Sequence, residues 1–236
     1  MNFLFTDLMK TEIVDGEDKV AKCADLYFDD RDWNLRYLVA DAGFWLFSRQ
    51  LLLDAGLLGQ PDMESGRWPA DLKNIDLGEA PTPEEDPAVS LHHAMKRRAK
   101  DAPFLLAGGY GVAYSPALAM QHVLDVSDEE FKDHDPHLRS AKELLGYEVY
   151  GVSGRIGEVT DLLLNPMERH IRLIALDTDE GELCLSVDHV GAINFEKRTI
   201  DAPVLDKKLA ELPRLDQVEE LRRPPAPIAA SAMVHP

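Results

Sequence analysis

Two stretches of this chain repeat one another. "DLYFDDRDWNLRYLVAD" (Asp25 to Asp41) lies over "DLLLNPMERHIRLIALD" (Asp161 to Asp177) without a gap, at an offset of 136 residues (161 − 25). Asp25, Leu26, Arg36 and Asp41 meet identical residues at Asp161, Leu162, Arg172 and Asp177. The same offset places Leu8 over Leu144, Glu12 over Glu148, Ile13 over Val149, Val20 over Ile156 and Cys23 over Val159. Identity is low, but the apolar positions keep phase, and phase is what a shared fold requires. A chain of 236 residues has room for one large or two small domains.

Each copy reads as β. "YEVYGVSGRIGEVTDLLLN" alternates around the glycine-rich turn Gly151 to Gly157, and "HIRLIALDT" places Ile171, Leu173 and Ala175 on one side. "GELCLSVDHV" and "GAINFEKRTIDAPV" supply further short strands. Period-two patterning between polar turns predicts a small antiparallel sheet or barrel in each copy. "GVSGRIG" lacks the strand-turn-helix context of a phosphate loop and reads as a hairpin turn.

The acidic stretch "DDRDWNLRYLVAD" imitates a calcium loop. Asp30, Asp32 and Asn34 alternate, and Asp41 ends a twelve-residue window. An EF-hand needs glycine at position six and a bidentate glutamate at twelve; here those positions are Leu35 and Asp41. The second copy has Asn165-Pro166 at this place, a strong turn signal. Asp29 to Asn34 therefore reads as a hairpin turn, with a weak cation contact left open. Asp25 and Asp161 recur at equivalent places, which points to a shared hydrogen bond rather than one site.

Forty-three Asp and Glu against 25 Lys and Arg give a net charge of −18, which repels nucleic-acid phosphates and anionic membranes. Cys23 and Cys184 read as two buried thiols in a reducing compartment. The start "MNFLFTDLMKTE" has no basic n-region, and no window reaches the ~18 apolar residues of a membrane span. The expectation is a cytoplasmic protein with no membrane span.

With these residues on the page, "ADLYFDDRDWNLRYLVADAGFWLFSRQLLL" resembles the first repeat of bacterial PRC-barrel proteins. "HLRSAKELLGYEVYGVSGRIGEVTDLLLN" and "INFEKRTIDAPV" resemble a second repeat, and the resemblance runs over most of Leu4 to Leu212. It implies a mainly β protein with short helices, built as two small antiparallel PRC-barrels in tandem. The implied division is 1–60 for the first repeat, 61–136 for an irregular and helical connecting segment, 137–212 for the second repeat and 213–236 for a disordered Pro/Ala-rich tail. Similar barrels form the cytoplasmic domain of the photosynthetic reaction-centre H subunit and one domain of a ribosome maturation factor. Neither role is catalytic within the barrel. The sequence departs from the family where Lys10, Asp18 and Ala21 stand in place of Gly146, Gly154 and Gly157, so the first turn must differ in shape. Ser48-Arg49-Gln50 also replaces a more basic turn.

In the connecting segment, Leu72, Ile75 and Leu77 are expected to pin the chain to a sheet. "PAVSLHHAMKRRAKD" reads as a short helix capped by Ser90. His92 and His93 are adjacent and point apart on a helix, a poor geometry for metal. "FLLAGGYGVAYSP" reads as a cover or an oligomer contact, and His134 and His137 as part of a solvated acidic linker.

No nucleophile–base pair, metal-spaced cluster or phosphate loop stands out, so no catalytic, cofactor or metal residues are assigned. The expectation is a non-enzymatic protein-interaction or assembly module without cofactor, its protein partner unknown, with a homodimer as its expected state. The alternatives are a peripheral component of a photosynthetic or electron-transfer complex, and a small-molecule binder or enzyme with a site between the barrels using His92, His93, His134 and nearby carboxylates.

Overall fold

The computed structural model describes residues 2–43, 49–95, 135–204 and 211–220. The first half runs β1 (Phe3–Leu4), α1 (Phe5–Leu8), β2 (Glu12–Asp15), β3 (Asp18–Asp29), β4 (Leu35–Asp41), β5 (Gln50–Asp54), a 3-10 turn at Ala55–Leu57 and β6 (Arg67–Pro69). A helix, α2, is described over residues 89–95. The second half runs β7 (Leu138–Ser140), α3 (Ala141–Leu144), β8 (Glu148–Gly151), β9 (Gly154–Asn165), β10 (His170–Thr178), β11 (Gly181–Ser186), a 3-10 turn at Val187–His189, β12 (Ala192–Asn194), β13 (Thr199–Asp201) and α4 (Leu215–Glu220). The chain is mainly β with short helices, and β3 and β9 coincide at the offset of the sequence repeat.

Two sheets result, ordered β5-β4-β3-β2-β6 and β11-β10-β9-β8-β13-β12. The sequence predicted antiparallel barrels. Each sheet instead contains one parallel pair, β2 with β6 and β8 with β13. Neither hydrogen-bonded order returns to its first strand among the described residues, so the structure shows two mixed sheets. β6 lies beyond residue 60, and its Trp68 is fully buried with Nε1 donating to the Gly59 carbonyl at 2.9 Å.

The halves exchange strands. β1 pairs with β9 of the second half, and β7 pairs with β3 of the first. The registers correspond: Leu4 faces Leu163 as Ser140 faces Tyr27, and Phe3 faces Leu164 as Arg139 faces Phe28. A single buried cluster draws on both halves, with Phe28, Leu38 and Trp68 joined to Leu164, Ile174 and Tyr147. Burial of each such large apolar side chain contributes about 1.5–3 kcal/mol.

β-bulges decide which side chains face this core. A register shift between Ile171 and Leu173 breaks the simple alternation of β10. Ile171, Ile174 and Leu176 face the shared core, while Leu173 and Ala175 face outward, which corrects the predicted grouping of Ile171, Leu173 and Ala175. The turns between β2 and β3 and between β8 and β9 differ, as the glycine pattern predicted. Gly16 takes φ +61° in the first, and Gly154 takes φ +132° in the second.

The outer faces of the sheets are covered by matching segments. On the first, Tyr27, Val39 and Leu52 pack with Ala88 and Leu138; on the second, Leu163, Ala175 and Cys184 pack with Val218 of α4. The Leu52 amide donates to the Pro81 carbonyl at 2.7 Å, and the Cys184 amide donates to Pro213 at 2.8 Å. The amides of Thr82 and Arg214 each donate to a side chain three residues on, Glu85 and Gln217. The structural repeat therefore continues past the sequence boundaries at 60 and 212. Residues 213–220, placed by sequence in a disordered tail, hold α4, because Val218 has an apolar face to cover. Leu72 is buried and Leu77 half-buried, but Ile75 is exposed. Ser90 lies inside α2 rather than capping it. The segment "FLLAGGYGVAYSP", His134, Ser48 and residues 221–236 lie outside the described residues.

Candidate functional site: a cleft at the junction of the halves

Two sets of contacts fasten the halves. In the first, the recurring aspartates cap the opposite half. Asp25 accepts from the Ser140 hydroxyl at 2.5 Å, the Lys142 amide at 2.9 Å and the Leu26 amide at 2.7 Å. Asp161 accepts from the Thr6 amide at 3.2 Å, the Thr6 hydroxyl and the Leu162 amide at 2.7 Å. Burial pushes the Asp25 carboxyl up to about 6, against the Ser140 hydroxyl and the two amides, which pull it down. The shared hydrogen bond inferred from sequence exists, and it joins the two copies.

In the second set, the hairpin turns meet. The Leu35 amide donates to the Arg169 carbonyl at 2.8 Å, and the Ile171 amide donates to Trp33 at 3.0 Å. Asn34 and His170, equivalent positions in the repeat, form the bridge between β4 and β10. Trp33 and Arg169 both take left-handed φ, 58° and 54°, to let this happen.

The acidic stretch is a hairpin turn between β3 and β4. The Asp29 amide donates to the Asn34 carbonyl at 3.0 Å, and the Trp33 amide to Asp29 at 2.8 Å. The carboxylates face protein donors. Asp29 accepts from Arg31 Nε at 2.9 Å and Nη2 at 2.5 Å, with Arg36 Nη1 at 3.5 Å. The Arg31 hydrogen bonds hold the Asp29 carboxyl down at about 2 and raise the arginine in turn. Asp30 reaches the other half: Oδ1 lies 2.8 Å from His137 Nδ1, and Oδ2 accepts from Arg139 Nε at 2.5 Å. Asp32 accepts the Asn34 amide at 3.0 Å. Leu35, at the loop position where a calcium site needs glycine, is a buried strand residue. Among the described residues no group of three His, Cys, Asp or Glu converges on one point.

Around this turn opens a cleft of about 660 Å³. One wall is Asp30, Arg31, Asp32 and Trp33 of the first half. The other is His137, Arg139 and His170 with Val187, Asp188 and the Val190–Ile193 stretch of the second. Trp33 is only 6% exposed and stacks on Phe28 with ring centroids 5.0 Å apart. The equivalent place in the repeat is lined differently: Pro166 stands for Asp30 and Phe3 for Arg139. Gly56 stands for Asp188 there, and Arg169 Nη1 lies 3.0 Å from where a Gly56 Cβ would be.

Sequence reasoning placed His137 in a solvated linker; the structure sets it against Asp30. His92 and His93 are not part of the cleft lining. They sit on α2 with ring centroids 5.7 Å apart, and the His93 ring lies 4.5 Å from Phe195. Arg139, Trp33, His170 and Asp188 went unnoticed in the sequence. The signal available was the set of positions where the two copies differ most in chemistry.

Cys23 and Cys184 are both buried and neither is in a disulfide, and burial pushes the Cys23 thiol up to about 12. No described helix is long and apolar enough to cross a membrane. No curated protein matches the chain. The family model that does match is that of the PRC-barrel domain, over residues 136–209, the span that contains β7 to β13 and supplies one wall of the cleft.

Proposed function

We propose that this protein is a non-enzymatic interaction module of the cytoplasm, made of two PRC-barrel-like units in one chain, that holds a protein partner. The observation that carries the reading is the use of charge at the junction. Asp30 commits both carboxylate oxygens to His137 and Arg139 and so braces the halves, while Asp29 is held by Arg31 within its own turn, and neither stands ready for proton transfer. The domain match over the second half and the equivalent strand order of the first support two barrel-like units. The expected homodimer belongs to the same proposal, and sedimentation at micromolar protein reads it directly.

The test is cross-linking of the tagged full chain in its native lysate, read by mass spectrometry. One stoichiometric protein partner is the expected result. Self-links alone, or no links, would refute the module. A second reading, a small-molecule binder, is favoured by the size of the cleft, which falls within the usual range of ligand pockets. A metabolite that raises the melting temperature and contacts His137 or His170 would support it.

A further inference from the structure

We propose that the cleft receives a basic, extended segment of the protein partner and seats one arginine or lysine side chain between Asp32 and Asp188. This rests on the interaction-module reading. The first argument is charge complementarity. The net charge of −18 draws cationic segments to the surface. Within the cleft Arg31 is paired with Asp29, and Arg139 Nε and His137 with Asp30, while Arg139 Nη1 is buried without a hydrogen-bond partner and His170 also lines the wall. Asp32 and Asp188 carry the remaining carboxylates, and both are exposed. Among the described residues Asp32 accepts from the Asn34 amide and Asp188 from the Ser186 hydroxyl at 3.2 Å, each within its own loop. They stand on opposite walls, one from each half.

The apolar lining suits the same guest. Of the lining, Trp33 on one wall and Val187 on the other are buried, and Val190 and Ile193 add further apolar surface. The methylene stem of lysine or arginine packs on such a surface while its head reaches the carboxylates, and a guanidinium also favours an indole face. The rim suits an extended chain. β12 is the last strand of its sheet, with no strand on its outer side among the described residues, and Ala192 and Ile193 line the cleft. An edge strand beside a pocket is the arrangement in which a peptide adds main-chain hydrogen bonds and inserts alternate side chains. The equivalent place in the other half has Gly56 and Pro166 instead of Asp188 and Asp30, so each chain offers this site once.

The test uses the full-length protein and a fluorescein-labelled peptide of alternating valine and arginine, five residues flanked by glycine, acetylated and amidated. Versions with lysine, citrulline or glutamate in place of arginine serve as comparisons. Anisotropy is read at low and at physiological salt. The expected result is 1:1 binding of the arginine and lysine peptides, weakened at least tenfold by citrulline and abolished by glutamate. Asp32→Asn and Asp188→Asn, both at exposed positions, are each expected to weaken binding about five- to tenfold, which is more than an isolated surface pair gives because the guest is partly desolvated. The remote substitutions Glu64→Gln and Glu180→Gln, the latter past the end of β10 opposite His170, are expected to change it less than twofold. Equal losses from remote and cleft substitutions would show a general field and overturn the site. So would equal binding of the glutamate peptide, or no binding at millimolar peptide. A cross-linked partner whose contacts map away from the cleft would overturn this inference and leave the module reading intact. Peptide binding as described, with no partner in the lysate, would do the reverse.

Discussion

Removing the carboxylate of Asp161 loosens the join between the halves, and the structure sets the scale. Asp161 is 6% exposed and accepts from the Thr6 amide, the Thr6 hydroxyl and the Leu162 amide. Asp161→Ala leaves these donors without their acceptor at the start of α1, where the first amides of a helix have no partner of their own. Each deprived buried donor costs about 1–3 kcal/mol, and water entering beside the half-buried Thr6 offsets part of it, so a total of about 3 kcal/mol is expected. For a chain of this length that lowers the melting temperature by about 6–12 °C. The assay is urea and thermal unfolding of the full chain, with Thr6→Val and the double variant completing a cycle. The Thr6 hydroxyl bonds Asp161 directly, so the two substitutions are expected to be non-additive by about 1 kcal/mol or more. A loss below about 0.5 kcal/mol for Asp161→Ala, or strict additivity, would refute the capping role. Asp25→Ala removes the equivalent cap on Lys142 and is expected to destabilise in the same direction.

The two aspartates of the first half should respond to pH in opposite senses. Asp29, held at about 2 by Arg31, contributes stability that is present above its unfolded pKa near 4 and lost as pH falls toward 2. Its shift corresponds to about 2 kcal/mol at most, which the exposed Arg31 reduces by screening to about 1 kcal/mol. Acid titration of stability in Asp29→Asn should be flatter in that window. Asp25, raised to about 6, favours the folded state below its unfolded pKa and weakens it as pH climbs through 6, so Asp25→Asn should flatten the slope between about pH 4 and 6. Both cysteines should resist a thiol reagent at pH 8 in the native protein and react fully in urea; prompt native reaction would contradict their burial. Gly157→Ala should cost more than about 3 kcal/mol or prevent folding, because the new Cβ would lie 2.3 Å from the Asp177 carbonyl oxygen. Gly154→Ala meets no atom within 4 Å and should cost only the strain of its φ, about 1–2 kcal/mol.

The repeat was legible because apolar phase survives low identity, and β3 and β9 begin and end at its offset, although the turn expected over Gly151 to Gly157 is shorter, since β9 already begins at Gly154. The hairpin turn at Asp29 to Asn34 was legible from Asn165-Pro166 in the other copy. The exchange of β1 and β7 was not. A strand that pairs with its own half and one that pairs with the other carry the same alternation, so no local pattern separates them. The outward turn of Leu173 and Ala175 was hidden for a related reason: a bulge adds one residue and reverses every later side chain. Trp33 gives no hint of left-handed φ, since a bulky residue adopts it only where tertiary contacts demand it. The cleft was illegible because its walls come from residues more than a hundred positions apart, and His137 shows its partner Asp30 only in the fold.

The account stands on the two halves being one interlocked body, since the cleft exists only where they join. Hydrogen exchange read by mass spectrometry across a urea series tests this most directly. Peptides from β3 and β4 are followed beside peptides from β9 and β10. The account predicts one common midpoint for all four, because each half lends the other a strand and a cap. Two separated midpoints, with either half keeping its protection after the other has lost it, would contradict it.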